Sequence, residues 1–168
     1  MVERQLLQDW SRLFGYAMSL ARDHDRASDL LQQAAVQALS TPRPPNHERA
    51  IRAWLFQIVR NVWIDRYRHD AVCADHAASA LEESQTWNYD DRVISELAVR
   101  QGLALINPGY REIIELVDIQ GFRYAEAAEI LGLPLGTVMS RLSRARLALL
   151  DHVGGTVRSL ETARRRTS

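Results

Sequence analysis

The chain has 168 residues, of which 46% are hydrophobic, so it is long enough for one domain or two small ones and apolar enough to bury a core. Its 21 basic residues, all of them arginine, balance 21 acidic ones, and a net charge of zero argues weakly against a nucleic-acid-binding protein. No apolar run approaches the roughly 18 residues of a membrane span, no signal peptide is expected, and the single cysteine, Cys73, excludes an internal disulfide and fits a reducing cytoplasm.

Residues 1–70 are predicted to form an all-helical unit. Apolar residues recur at steps of three and four from residue 6 to residue 20, which indicates one amphipathic helix, and again from residue 27 to residue 38, which indicates a second. An aspartate, either Asp23 or Asp25, would begin the second helix because its side chain can accept a hydrogen bond from the first turn.

A proline-rich segment and a long helix complete this unit. Three prolines within residues 40–46 are incompatible with a helix and predict a loop. A third helix is then expected from about His47 to His69, with an apolar inner face. Its other side carries arginines with interleaved aromatic residues: Arg52, Arg60, Trp63, Arg66, Tyr67 and Arg68.

The middle of the chain differs in composition. Residues 71–92 hold one arginine against five acids and have weak periodicity, so we interpret them as a flexible acidic linker. Helical spacing resumes from Ile94 to Ile106, and residues 107–109, Asn-Pro-Gly, interrupt it. A further helix is indicated over residues 110–120. The chain is therefore predicted to be all-α, with two small helical domains on a tether.

Residues 122–150 have the pattern of a helix-turn-helix. Residues 124–131 are rich in Ala, Glu and Leu and predict a first helix. Gly132 follows where a sharp turn needs a residue that tolerates positive φ. Pro134 suits the first turn of a second helix because its missing N–H would be unpaired there anyway. A unit of this kind places its second helix in the major groove of duplex DNA.

The second helix of this pattern carries its apolar and basic residues on different faces. Val138, Leu142, Ala145 and Leu149 share one face, and Ser140, Arg141 and Arg144 lie on others. Residues 130–168 hold seven arginines against two acids, so positive charge is concentrated where phosphate contact would need it. An αα-hairpin with a solvated, arginine-rich face has the same pattern without binding DNA, and the pattern alone leaves both interpretations open.

Longer runs of the chain resemble the extracytoplasmic-function (ECF) sigma factors of the sigma-70 superfamily. The run YREIIELVDIQGFRYAEAAEILGLPLGTVMSRLSRARLALL resembles their promoter-binding region 4. The runs ASDLLQQAAVQAL and RAWLFQIVRNVWIDRYR resemble region 2. The two matches stand in the family's order, with the acidic segment between them, and together they cover nearly the whole chain.

The resemblance implies a domain organisation and a function. Residues 1–70 would be a region 2 domain that binds core RNA polymerase and the promoter −10 element, and residues 71–92 a linker. Residues 93–155 would be a region 4 domain for the −35 element, followed by a basic tail over residues 156–168. The implied function is promoter-specific transcription initiation in the cytoplasm, by binding rather than catalysis. No cofactor and no membrane insertion are expected, and an anti-sigma factor is an expected partner.

The same resemblance assigns individual residues. A helix would dock on the clamp helices of the largest polymerase subunit through Asp29, Leu30, Gln32 and Gln33, and the flap of the second subunit is a further expected partner. The −10 element would be melted and held by Arg60, Asn61, Trp63 and Tyr67, with Asn61 near a pocket for an unstacked base. The −35 element would be contacted by Thr137, Ser140, Arg141 and Arg144.

Three positions depart from the family's pattern. Gln33 stands where the family usually has an acid, and Leu39 where it often has Trp, so both bear on the strength of polymerase docking. Met139 occupies a position often filled by Lys, which removes one phosphate contact. Structural alternatives also remain: Trp63 and Tyr67 as packed aromatic residues, and Asn61 as a residue bonded within its own domain.

The sequence gives little support to a metal site or to other functions. His69, Cys73 and His76 have the spacing H-x3-C-x2-H, which zinc sites use, but no fourth ligand is evident and no metal is expected. No catalytic grouping is present, so an enzyme is not expected. Two alternatives stay open: a sigma-like decoy that only binds an anti-sigma factor, and a helix-turn-helix regulator independent of polymerase. Arg141 and Arg144 argue against the first, and the region 2 match argues against the second.

Overall fold

A computed structural model describes the backbone of residues 1–73 and 91–167, and the side chains within these ranges other than those of residues 67–73, 91–95, 97 and 155–167. The described part of the chain is all-α, as predicted, and contains no strand. Its elements are α1 (Val2–Gln8), α2 (Trp10–Ala21), α3 (His24–Ser40), α4 (Glu48–Cys73), α5 (Asp91–Leu105), α6 (Pro108–Ile114), a π-helical segment (Glu115–Ile119), α7 (Tyr124–Leu131) and α8 (Leu135–Thr167).

Helices α1–α4 form an N-terminal unit around a buried apolar core. Leu13, Leu30, Leu31 and Ile51 are almost completely buried in it. The Asp23 carboxylate accepts a hydrogen bond of 2.8 Å from the Arg26 N–H, so Asp23 caps α3 and settles the choice between the two aspartates. The loop predicted over the prolines separates α3 from α4.

The single helix predicted over residues 6–20 is wrong, because the chain forms two helices that meet at Asp9. The Asp9 carboxylate is buried and accepts a hydrogen bond of 2.6 Å from Gln5 Nε2. It also lies 3.9 Å from Arg52 Nε of α4. Both helices pack on the same core, so the apolar spacing continues across Asp9. The spacing alone therefore does not reveal that one helix ends there and another begins.

Helices α5–α8 form a C-terminal unit in which α5 lies along α8. Gly102 of α5 allows this close approach, since a Cβ atom there would lie 2.9 Å from Leu149 Cδ1. Helix α8 has 33 residues and continues to Thr167, through the residues predicted to form a separate basic tail. The helix predicted over residues 94–106 is α5, with its first turn three residues earlier.

The helix predicted over residues 110–120 differs from the structure at both ends. It begins earlier, at Pro108, because the Asn107 side chain accepts a hydrogen bond of 2.8 Å from the Gly109 N–H and caps α6. It then widens into the π-helical segment, where the Gln120 N–H donates to the Glu115 carbonyl at 2.8 Å, one residue further back than in an α-helix.

The two units are in contact rather than held apart. Helix α4 packs against α7, and α2 packs against α6 and the π-helical segment. The Phe56 and Phe122 rings meet edge to face across this boundary, with their centroids 4.8 Å apart. Residues 74–90, the larger part of the predicted linker, lie outside the described residues.

Candidate nucleic-acid and polymerase interfaces

The turn between α7 and α8 is fixed by backbone hydrogen bonds. Gly132 ends α7 with φ +64°, in the left-handed region, as the sequence predicts. The Leu133 N–H donates to the Ala128 carbonyl at 3.0 Å, and the Val138 N–H donates to the Pro134 carbonyl at 3.1 Å. The second helix therefore begins directly after Pro134.

One side of α8 is anchored in the C-terminal core, and this orients the predicted −35 residues. Val138, Leu142 and Ala145 are buried, and α8 packs against α5, α6 and α7. The side chains on the other side of the helix therefore face outward: Ser140, Arg141 and Arg144 are exposed, and Thr137 is half-buried. The Ser140 hydroxyl donates to the Thr137 carbonyl at 3.1 Å.

The three arginines of α8 whose side chains are described fall into two groups. Arg146 holds Asp118 of the π-helical segment in a bidentate contact, with Nε–Oδ2 3.0 Å and Nη2–Oδ1 2.5 Å. These hydrogen bonds raise the pKa of Arg146 above its ordinary value. Arg141 and Arg144 form no ion pair with any of the described residues. Arg146 thus stabilises the unit, while Arg141 and Arg144 present unneutralised charge to solvent.

The predicted −10 residues lie in the second half of α4. Arg60, Trp63 and Tyr67 are spaced three and four residues apart, which places them on one side of the helix, whereas Asn61 is exposed on another side. Arg60 is engaged already, since its Nε lies 2.9 Å from Glu112 Oε1 of α6. Trp63 is half-buried and packs on the core. The Tyr67 side chain lies outside the described residues.

The predicted polymerase-binding residues lie on α3, but not all of them face outward. Asp29, Gln32 and Gln33 are exposed along one side of the helix. Leu30 is fully buried in the N-terminal core, so in this structure its side chain holds the helix in place and is not available for direct contact. Gln33 Oε1 accepts a hydrogen bond of 2.8 Å from Arg66 Nε of α4.

Comparison with known proteins identifies both units. The family described as Sigma-70 region 2 matches residues 8–71, and the family described as Sigma-70, region 4 matches residues 96–149. The ECF RNA polymerase sigma factor EcfG of Rhodopseudomonas palustris (strain TIE-1) is 34% identical over 148 residues, covering 85% of this chain and 81% of EcfG. The chain belongs to the ECF sigma factors. Sigma factors bind core RNA polymerase and direct transcription initiation at promoters.

Further relatives and solved structures resemble this sigma factor over most of its length. SigM of Mycobacterium tuberculosis is 32% identical over 146 residues, covering 85% of this chain and 72% of SigM. The sigma factor RpoE of Bartonella quintana, solved in complex with the anti-sigma factor NepR, has a TM-score of 0.67 at 30% identity and covers 90% of this chain and 96% of its own. CnrH, solved with the cytosolic domain of CnrY, has a TM-score of 0.62 at 26% identity, covering 92% of this chain and 88% of the matched chain.

Apolar side chains are also exposed beside the predicted site residues of this sigma factor. Val36 is 69% exposed on the side of α3 that carries Asp29 and Gln32, and Leu39 continues the same surface. Beside α8, Tyr124 and Met139 line a shallow groove. The spacing of Asp29, Gln32 and Val36 places them on one face of a helix, and this could be read from the sequence. That Val36 is exposed could not, because a single apolar residue in an Ala-rich helix can face either the core or solvent.

The side chains of the possible zinc ligands His69, Cys73 and His76 lie outside the described residues. Among the residues whose side chains are described, no group of three His, Cys, Asp or Glu residues is placed to hold a metal ion. Within the same part of the chain, no helix is both long enough and apolar enough to cross a membrane.

Proposed function

We propose that this ECF sigma factor divides promoter recognition between its two units. The exposed side of α3 binds the clamp helices of core polymerase, with Asp29, Gln32 and Gln33 supplying polar contacts. Helix α4 holds the melted −10 element through Arg60, Asn61, Trp63 and Tyr67. Helix α8 enters the major groove at the −35 element through Thr137, Ser140, Arg141 and Arg144. These steps are binding steps in the cytoplasm, without catalysis and without a cofactor.

The exposure of Arg141 and Arg144 carries this proposal. Both guanidinium groups lie on the outer side of a helix-turn-helix, whereas Arg146 on the same helix is held by Asp118. An unpaired arginine at this place in the fold is suited to bidentate contact with a guanine edge or to contact with a phosphate. Because the chain as a whole is neutral, it gains little long-range attraction to DNA, and α8 acts at the promoter once core polymerase holds the N-terminal unit in place.

An anti-sigma factor is the proposed regulator. RpoE, which this chain resembles at 30% identity, is solved in complex with the anti-sigma factor NepR. The match covers both units, so a partner of this kind would have access to the same pair of domains here. We propose that such a partner covers the polymerase-binding surface of α3, where Val36 and Leu39 supply exposed apolar contacts.

In vitro transcription with purified core RNA polymerase and fragmented genomic DNA tests the main proposal. We expect initiation at discrete start sites only when the sigma factor is added. Binding to core polymerase without initiation would favour a decoy that only titrates an anti-sigma factor. Tight binding to duplex DNA without any binding to core polymerase would favour a regulator independent of polymerase. Either result would overturn the proposal.

A further inference from the structure

A shallow groove lies between the start of α7 and the outer side of α8. We call it the α8 groove, and its lining residues are Tyr124, Met139, Leu142, Ser143, Arg146 and Leu147. Tyr124, Met139 and Leu147 are 38%, 51% and 61% exposed. A single exposed apolar side chain is ordinary on a protein surface, whereas three that line one groove indicate a contact surface.

The shape of the α8 groove follows from the spacing along the helix. Met139, Ser143 and Leu147 are four residues apart and lie on one side of α8. Because serine is small, it leaves space between the two longer apolar side chains. Leu142, which also lines the groove, is buried, and Tyr124 is the first residue of α7. The groove is therefore an apolar recess between the two helices of the helix-turn-helix.

The charge of the α8 groove is neutralised within the protein. Of the described residues that line it, Arg146 alone is basic or acidic, and Asp118 holds its guanidinium in the bidentate contact given above. The hydrogen bonds to Asp118, and in smaller part the interaction with Tyr124, raise the pKa of Arg146. A phosphate would find no free cation here, so the groove is suited to an uncharged, apolar group.

The position of Met139 on α8 indicates what that group is. Met139 is the fifth residue of α8, in the part of a recognition helix that contacts base edges. Successive residues of an α-helix turn by about 100°, so Met139 and Arg141 point to opposite flanks of the outer side, with Ser140 between them. In the major groove of DNA, the apolar group on a base edge is the methyl group of thymine.

We propose that the α8 groove receives the methyl group of a thymine in the −35 element, with Met139 as the main contact. The inference rests on the proposed function of α8 at the −35 element, and it adds which kind of base the helix selects there. A cation at position 139 would contact phosphate, which is the same in every sequence. Methionine at this position instead distinguishes thymine from bases that lack the methyl group.

Replacing thymine by uracil tests this inference, because it removes the methyl group and leaves the hydrogen-bonding groups of the base unchanged. Duplex fragments of a promoter mapped for this sigma factor carry one uracil in place of each thymine of the −35 element in turn, on either strand. Holoenzyme is assembled from core polymerase and the full chain. Its affinity for each fragment is measured by competition against the fluorescein-labelled unmodified fragment, followed by fluorescence anisotropy.

We expect one or two of the uracil substitutions to weaken binding of the wild-type holoenzyme roughly fourfold, the factor that corresponds to burial of one methyl group. Met139→Ala should bind the unmodified fragment about fourfold more weakly than wild type and should no longer prefer thymine to uracil. Met139→Leu keeps an apolar side chain and should retain most of the preference.

Leu150→Ala is the matched control. Leu150 is an exposed apolar residue of the same helix that does not line the α8 groove. The variant loses as much apolar surface as Met139→Ala does, and its preference for thymine should equal that of wild type.

Three results would overturn the inference. In the first, no uracil substitution changes the affinity of wild type. In the second, Met139→Ala keeps both the affinity and the thymine preference of wild type, which would assign the methyl contact to another residue. In the third, Met139→Ala weakens binding to the unmodified and the uracil fragments by the same factor, which would assign the α8 groove to a protein surface of the polymerase.

A fragment with a scrambled −35 element separates this inference from the proposed function. If wild-type holoenzyme binds the scrambled fragment as tightly as the unmodified one, α8 does not recognise the −35 element and the proposed function fails. If scrambling weakens binding but no uracil substitution does, only the methyl contact fails.

Discussion

Arg60 of α4 and Glu112 of α6 form an ion pair across the boundary between the two units, with 2.9 Å between Nε and Oε1, although they are 52 residues apart in the sequence. This pair brings an acidic residue of the C-terminal unit against an arginine of the N-terminal unit. Acidic residues of the C-terminal unit neutralise arginines of the N-terminal unit, while Arg141 and Arg144 keep their charge. The distribution of partners, rather than the net charge, identifies the arginines available for DNA.

Arg146→Ala should lower stability, whereas Arg141→Ala should not. The bidentate contact of Arg146 with Asp118 ties α8 to the π-helical segment, and because both side chains are partly exposed its loss should cost about 0.5–1 kcal/mol. Thermal unfolding followed by circular dichroism measures the difference. Equal melting temperatures for the two variants would contradict the structural role of Arg146.

Gly132→Ala and Gly136→Ala should change stability in opposite directions. An added Cβ meets nothing within 4 Å at either position, so sterics with neighbours do not decide the outcome. At Gly132 the positive φ should cost about 1 kcal/mol. Gly136 lies in the first turn of α8, where alanine should stabilise the helix by roughly 0.5 kcal/mol. Urea unfolding of both variants tests this, and a loss at both positions would contradict it.

Glu115→Gln should stabilise the protein at neutral pH and not in acid. Burial raises the pKa of Glu115, although the hydrogen bond from Gln120 partly opposes this. Below the unfolded-state pKa of about 4.3 the carboxyl is protonated in both states and burial carries no charge penalty. As pH rises through the higher folded-state pKa, ionisation favours the unfolded chain, and stability is lost.

The measurement is the free energy of unfolding of Glu115→Gln and wild type at pH 4 and at pH 7. The advantage of the variant should be present at pH 7 and largely absent at pH 4. Glu129→Gln, which makes the same change at an exposed position, serves as the control. If the free energies of unfolding of wild type and Glu115→Gln differ by the same amount at pH 4 and at pH 7, the buried charge of Glu115 does not lower stability and the prediction is contradicted.

Gln33→Glu should stabilise the contact between α3 and α4. Gln33 already accepts a hydrogen bond from Arg66, and a carboxylate there would form an exposed ion pair that contributes about 0.2–1 kcal/mol. The gain should shrink at high salt. Gln32→Glu is the control, because the Gln32 side chain hydrogen-bonds to Ser28 of its own helix and lies, like Gln33, one turn from Asp29. Equal effects of the two variants on unfolding would contradict a specific role for Arg66.

Local signals explain what the sequence predicted correctly in the C-terminal unit. Helix α7 has the predicted bounds, and Gly132 has the predicted positive φ, because helix propensity and a turn residue act within a few positions. The family resemblance, which the comparisons confirm, rests on longer runs of sequence that match regions 2 and 4.

Features that depend on distant residues were not predictable in this way. The contact of Phe122 with Phe56 and Arg52 joins elements far apart in the sequence, and apolar spacing does not specify a partner. Arg141 and Arg146 have the same chemistry and lie on the same helix. Only the position of Asp118, brought near by the π-helical segment, distinguishes the paired one from the free one.

Run-off transcription with core polymerase tests the central claim most directly, on a promoter mapped for this sigma factor and on the same promoter with a scrambled −35 element. Wild type should lose activity on the scrambled template. Arg141→Ala should lower transcription from the intact template roughly tenfold, as expected for a lost arginine–base contact of about 1–3 kcal/mol. On the scrambled template it should transcribe about as much as wild type does, and its binding to core polymerase should be unchanged. If Arg141→Ala reduces transcription by the same factor on both templates, α8 does not recognise the −35 element through Arg141, and the account is contradicted.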